Sequence, residues 1–169
     1  MNKPINILVT GCNGRMGKAI INCASNHSEV LITKGIDIGD VLDDHIDGSD
    51  VVIDFSTHAF TTELVGKCAS KDKSIVIGTT GHSDDELLAI KKSAESVPIV
   101  MAPNFSVGVN TLFWLTKKTA EILGEDFDLE VIEMHHRQKI DAPSGTARRL
   151  GEILAESTGV LYSCLLYTS

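Results

Sequence analysis

Along the first hundred residues, short apolar runs take turns with segments in which apolar positions recur every three or four residues. Ile5 to Thr10 is nearly continuous in its apolar character, as a strand buried on both faces requires, and Arg15 to Ser25 then carries helical periodicity. Val30 to Ile36 and Val51 to Phe55 repeat the strand signal, and Ser56-Thr57 can cap a helix running to about Ser70. Ile75 to Ile77 and Pro98 to Ala102 are two further strand candidates. Between them Ser83 stands three residues before Glu86, the spacing of a capping box for a helix over Asp84 to Ser96. Strands that alternate with helices through short loops predict a parallel sheet covered on both faces.

From Val107 the pattern changes. Leu112, Phe113, Leu115, Thr119, Ile122 and Leu123 predict one stripe of a helix that Gly124 ends. Phe127 to Met134 alternates as a half-buried strand does, or as one with a register irregularity at Val131 and Ile132, and Ser144-Gly145-Thr146 precedes a helix over Ala147 to Glu156. The domains expected are 1–105 for the first, 106–160 for part of a second, and 161–169 as a tail. That tail is apolar and uncharged, fits neither preceding pattern, and is expected not to be native.

Composition narrows the function classes. The 169 residues are 43% hydrophobic and 22% charged, ordinary for a globular protein, and no apolar run is long enough to cross a bilayer. The N-terminal apolar run is too short for a signal-peptide core, so a cytoplasmic protein is expected. Fifteen basic against 23 acidic residues, a formal charge of -8, argue against a nucleic-acid surface. Cys12, Cys23, Cys68 and Cys164 form no CxxC pair and are expected to be small buried thiols.

Candidate chemistry lies first in Gly11-Cys12-Asn13-Gly14-Arg15-Met16-Gly17, between the first strand and the first helix, which is where a dinucleotide loop belongs. The spacing is G-x-x-G-x-x-G, with Asn13 at the usual middle-glycine place. Glycines let a pyrophosphate approach backbone N–H groups at the helix start, and Asp37, ending the second strand, is placed to accept from a ribose hydroxyl. The fold class is therefore α/β, a Rossmann-type parallel sheet followed by an incomplete α+β substrate-binding domain. The cofactor expected is NADH or NADPH, with a lean to NADH, because Ile38-Gly39-Asp40 offers no cation for a ribose phosphate and only Lys34 is close in sequence. Gly78, Thr79, Thr80 and Gly81, and then Ala102, Pro103, Asn104 and Phe105, sit at the ends of later strands, the edge where such sheets bind ligands.

The second cluster, His135-His136-Arg137-Gln138-Lys139, gathers positive charge in an acidic chain and makes a small anion a plausible partner. Spacing alone leaves a solvated charged face equally open. Adjacent histidines on an extended segment point to opposite faces, so no metal site is expected. The helix start Ser144-Gly145-Thr146 is suited to holding a carboxylate.

Together, Glu133 to Ala147, Gly11 to Gly17, Asp54-Phe55-Ser56, Gly78 to Gly81 and Ala102 to Asn110 resemble the 4-hydroxy-tetrahydrodipicolinate reductase family, historically the dihydrodipicolinate reductases, from Ile5 to about Gly159. The resemblance implies hydride transfer from NADH or NADPH to a small cyclic dicarboxylate, yielding 2,3,4,5-tetrahydrodipicolinate in the diaminopimelate route to lysine. It implies His135 as proton donor or acceptor and Lys139 as proton donor. It implies His136, Lys139, Gly145 and Thr146 as substrate contacts, and Gly11 to Met16, Asp37, Gly78 to Thr80 and Ala102 to Phe105 as nucleotide contacts. It also implies a homotetramer at full length. Family members are longer, so the chain is expected to be a C-terminally truncated and inactive fragment. Another nucleotide-dependent dehydrogenase, or a non-catalytic nucleotide sensor on the same scaffold, is the alternative.

Overall fold

Five of the apolar runs become the strands β1 (Ile5–Thr10), β2 (Val30–Ile36), β3 (Val51–Asp54), β4 (Ser74–Ile77) and β5 (Ile99–Met101) of one parallel sheet. The order is β2-β1-β3-β4-β5 in this computed structural model, which describes residues 3–135, 137, 143–159 and 161–162. Helices α1 (Arg15–Ala24), α2 (His58–Ser70) and α3 (Asp84–Ser93) connect the strands, giving the doubly wound α/β sheet of Rossmann type that the alternation predicts. β2 and β3 flank β1 on opposite sides, so the chain reverses its direction of winding beside the carboxyl end of β1.

The chain divides into two compact units, the first ending at Pro103 and the second beginning at Asn104. In the first, Leu8, Val52, Leu64, Ile75 and Ile77 are fully or almost fully buried, with Ile46, Val65 and Cys68 among the residues packed around them. β2 is an edge strand and only half covered, unlike the doubly buried runs beside it. Its pairing with β1 slips at Ile7/Leu8, and the Thr33 hydroxyl donates to the Ile7 carbonyl at that irregularity. The capping box at α3 forms as its spacing predicts: Glu86 N–H donates to Ser83 Oγ, and Ser83 N–H to the Glu86 carboxylate.

In the second unit, α4 (Val107–Leu123) begins at Ser106, whose hydroxyl accepts from Val109 N–H, and α5 (Gly145–Thr158) begins at Ser144 in the same way with Ala147. The buried side of α4 is not the predicted stripe. Ala120 is its buried residue, with Phe113, Thr116 and Leu123 partly covered along the same side, while Leu112, Leu115 and Ile122 are exposed. Four successive apolar residues, Leu112 to Leu115, let periodicity fit more than one face, and packing against α5 decides between them.

The strand expected over Phe127 to Met134 is absent among the described residues, apart from a bridge at Val131; a strand exists only through a ladder of partners. Burial still alternates without a slip: Leu129, Val131 and Glu133 face inward, Ile132 and Met134 outward. Tyr162 lies in the segment read as a tail, and its ring rests where a Cβ on Gly151 would come within 2.8 Å. Of the cysteines, Cys68 is buried, Cys12 is partly covered and Cys23 is exposed, against the expectation of buried thiols throughout; Cys164 lies outside the described residues. Burial first, and the Asp54 carboxylate second, push the Cys68 thiol up to about 12.

Candidate functional site

β1 stops at Thr10 because Gly11 turns the chain at φ +71°, a conformation costly for any residue with a Cβ. Space forbids a side chain there as well, since a Cβ on Gly11 would lie 2.2 Å from the Phe55 carbonyl oxygen. A Cβ on Gly17 would in turn lie 2.3 Å from the Gly11 carbonyl oxygen, so the first turn of α1 rests directly on the loop. Gly14 is the N-cap of α1, and no side chain caps the helix. The exposed residues Asn13, Gly14, Arg15 and Met16 thus surround a helix start whose N–H groups are not claimed by a capping side chain.

Asp37 joins this loop. Asn13 N–H donates to Asp37 Oδ2 at 2.8 Å and Ile38 N–H to Oδ1 at 2.9 Å. Those two amides, Asn13 first, hold the carboxyl below the usual carboxylate range, and the more distant charge of Lys18 works in the same direction. Asp37 N–H donates to Asp40 at 2.9 Å, so a second carboxylate stands at the same turn. Burial, then Asp37 and Asp40, push the Cys12 thiol up, which makes it a poor nucleophile.

At the ends of β3 and β4 lies a feature that the motifs by themselves do not announce. Asp54 is fully buried and is surrounded by hydroxyls. Thr10 donates to its Oδ1 at 2.6 Å, and Ser56 donates to the same oxygen through both its N–H and its hydroxyl. Thr61 and Thr79 donate to Oδ2 at 2.6 and 2.9 Å. The signal available in sequence is the acid itself: a carboxylate inside a continuous apolar strand must find donors, and threonines end or follow the neighbouring strands.

Of the residues expected to touch the nucleotide, Thr79 is buried, and its hydroxyl both donates to Asp54 and accepts from Ser56 N–H, so its side chain is committed within the protein. Gly78 lies under the Phe55 ring, where a Cβ would come within 2.1 Å of a ring carbon. Thr80 is exposed beside it. Ala102 continues the sheet edge, its N–H donating to Ile77, and Pro103 ends the first unit. Asn104 and Phe105 open the second, where Asn104 Oδ1 accepts from Ser106 N–H at 2.7 Å and so shapes the start of α4.

In the second unit Glu133, inward-facing by the alternation of its segment, accepts from Ser144 N–H at 2.9 Å and lies 3.4 Å from His135 Nδ1. Its carboxylate therefore lies between His135 and the start of α5, where Gly145 is exposed and Thr146 half-buried. Arg149 pairs with Glu152 and Glu156 along the helix. His136 and Lys139 lie outside the described residues.

Comparison with known proteins bears on the family of the chain. The family described as "Dihydrodipicolinate reductase, N-terminus" matches residues 5–105 and "Dihydrodipicolinate reductase, C-terminus" residues 108–162. A 4-hydroxy-tetrahydrodipicolinate reductase of Akkermansia muciniphila is 53% identical over 89% of this chain and 61% of its own length. One from Neisseria gonorrhoeae is 39% identical over 97% of this chain and 70% of its own. The chain thus spans somewhat under two thirds of the first of these relatives. Among solved structures, a dipicolinate-bound dihydrodipicolinate reductase from Paenisporosarcina sp. TG-14 superposes with a TM-score of 0.72 at 30% identity, over 92% of this chain and 67% of that one. Motifs, sheet and relatives agree: this chain belongs to the dihydrodipicolinate reductase family.

Proposed function

We propose that the protein converts 4-hydroxy-tetrahydrodipicolinate to 2,3,4,5-tetrahydrodipicolinate, the 4-hydroxyl leaving as water while NADH or NADPH delivers a hydride and a proton is taken up, within the diaminopimelate route to lysine. The observation that carries the reading is the Gly11 to Gly17 loop, which leaves an uncapped helix start open and bonds to Asp37. These residues fit a dinucleotide: N–H groups for the pyrophosphate and a carboxylate for ribose hydroxyls. When bound, the reduced nicotinamide supplies a hydride. The chain's own residues do the rest. Gly78, Thr80, Ala102, Pro103, Asn104 and Phe105 line the nicotinamide end, Thr79 contributing its main chain. His135 exchanges the proton, and the Glu133 carboxylate stands 3.4 Å from its Nδ1. Lys139 donates a proton and, with His136, faces one carboxylate of the substrate; Gly145 and Thr146 at the start of α5 hold the other. The Paenisporosarcina reductase binds dipicolinate, a small cyclic dicarboxylate, which supports that substrate class.

NADH is the preferred donor in this reading. Asp37 and Asp40 share one turn, and a ribose phosphate would meet both carboxylates. Lys18 is the cation whose field reaches Asp37, which leaves NADPH usable. A cytoplasmic homotetramer accompanies the reading on resemblance alone.

The test is oxidation of NADH and NADPH on freshly generated 4-hydroxy-tetrahydrodipicolinate, using the protein expressed at the length of its relatives. Substrate-dependent oxidation that falls sharply in Lys139→Ala, with nucleotide affinity retained, is expected. A folded, nucleotide-binding protein that shows no such oxidation would sink the proposal.

A further inference from the structure

We propose that Asp54 is the positioning residue of the nucleotide edge, a buried carboxylate that holds the loops after β1, β3 and β4 in one fixed arrangement. The inference rests on the nucleotide reading above and concerns how that site is kept in shape.

A core position facing apolar neighbours is cheaply filled by an apolar side chain, and a buried charge is retained only where its donors compensate its desolvation. Asp54 has them. Its donors come from the last residue of β1, from Ser56 just beyond β3 and from Thr79 just beyond β4, with Thr61 of α2 completing the set. Three of these four residues are adjacent to or inside segments assigned to the nucleotide: Thr10 precedes Gly11, Ser56 packs against Gly11, and Thr79 lies between Gly78 and Thr80.

The loops they hold are in close contact with one another. Gly11 meets the Phe55 carbonyl and Gly78 meets the Phe55 ring, each with no room for a methyl group. A displacement of a few tenths of an ångström between β1 and β3 would therefore alter the turn at Gly11 and the presentation of the α1 N–H groups. The Asp54 carboxylate accepts from Thr10, Ser56 and Thr79, the residues next in sequence to Gly11, Phe55 and Gly78. Thr61 differs, because it anchors the carboxylate to α2, and its other hydroxyl partner among the described residues is the Thr57 carbonyl. It supplies an internal control.

The test compares Asp54→Asn, Thr10→Val, Thr79→Val and Thr61→Val, reading NADH affinity by fluorescence titration and the thermal midpoint on the same samples. Each valine variant removes one hydroxyl donor to a buried charge and lowers the midpoint. Thr10→Val and Thr79→Val are expected to raise the NADH Kd about 10-fold, the equivalent of one charge-assisted hydrogen bond. Thr61→Val is expected to leave Kd unchanged, and Asp54→Asn to raise it more than either loop variant. If Asp54→Asn does not fold, the three valine variants decide the matter. Equal loss of midpoint in all three with parental NADH affinity makes Asp54 a core support only and overturns the proposal. An unmodified protein that fails to bind NADH overturns the nucleotide reading and this inference with it. Binding that is retained by the parent and insensitive to Thr10 and Thr79 overturns this inference alone.

Discussion

The two units hold their polar chemistry by different means. In the first, Leu8, Val52, Leu64, Val65, Ile75 and Ile77 form an apolar core, and the candidate nucleotide loops emerge from the ends of strands that this core fixes. Among the described residues of the second, the buried cluster is Ala120, Val131, Ala147 and Leu154, with Leu129, Leu150 and Ala155 partly buried against it, while Trp114, Ile122, Ile132 and Met134 are exposed. There the segment bearing His135 meets α5 through the buried Val131 and through the hydrogen bond from Ser144 N–H to Glu133. In the first unit a large core fixes the strands and the hydrogen bonds of Asp54 fasten the loops at their ends, whereas in the second a smaller cluster shares the placing of one segment with the Glu133–Ser144 bond.

Equivalent truncations in the two units sharpen the contrast most strongly. Leu64 is completely buried, so Leu64→Ala leaves a cavity in a tightly packed sheet-helix interface and is expected to cost toward the upper end of about 2–5 kcal/mol. Leu154→Ala removes the same atoms beside Leu129, Leu150 and Ala155, which are only partly buried and can close around the gap, and is expected at the lower end of that range. Denaturant unfolding of both variants measures the difference. Equal losses would mean that the second core is as closely packed as the first.

Gly11→Ala tests the same frame at its functional edge. The new Cβ must enter the space of the Phe55 carbonyl at φ +71°, and the combined overpacking and backbone strain are expected to cost about 3 kcal/mol. Loss of NADH binding should exceed what the residual folded fraction explains. Retained affinity in a folded Gly11→Ala protein would show that the loop can relax away from Phe55.

Much of the first unit is legible in the sequence because its signals are local. Each strand is a short apolar run, each helix a periodic one, and Ser83 with Glu86 marks the start of α3 within four residues. The Gly11 to Gly17 loop is legible for the same reason. Asp54 stands inside a motif whose spacing says nothing of its role, because its donors Thr10, Ser56, Thr61 and Thr79 are gathered only by sheet order. The buried face of α4 escapes periodicity because four consecutive apolar residues fit several stripes, and the choice depends on α5. Glu133 is hidden in its own motif, although the alternation of Leu129 and Val131 already points it inward.

Glu133 provides the counterpart in the second unit. Glu133→Ala removes the acceptor for Ser144 N–H and the carboxylate beside His135, and is expected to cost about 1.5 kcal/mol, the net value of a hydrogen bond to a charged group. Hydrogen exchange at the first amides of α5 should rise in this variant, while the amides of β1 and β3 keep their protection. Glu133→Gln retains an oxygen for Ser144 but not the charge, so it should restore protection at α5. Unchanged exchange in Glu133→Ala would mean that packing, as in the first unit, already fixes this helix start.

The smallest expected effect returns to the first unit, at a carboxylate unlike Asp54. Asp37 is held by two amides, Asn13 and Ile38, in a solvent-accessible turn, and these bonds lower its pKa on folding. Its ionised form therefore favours the folded loop at every pH above the unfolded carboxylate value, and that contribution disappears as pH falls through the lower folded value. Solvent screening makes the contribution small. Asp37→Asn should flatten the acid limb of the stability profile slightly and leave neutral-pH unfolding nearly unchanged, yet weaken NADH binding at neutral pH because the ribose loses its charged acceptor. A variant that binds NADH as the parent does would place the ribose elsewhere and confine Asp37 to fastening the loop.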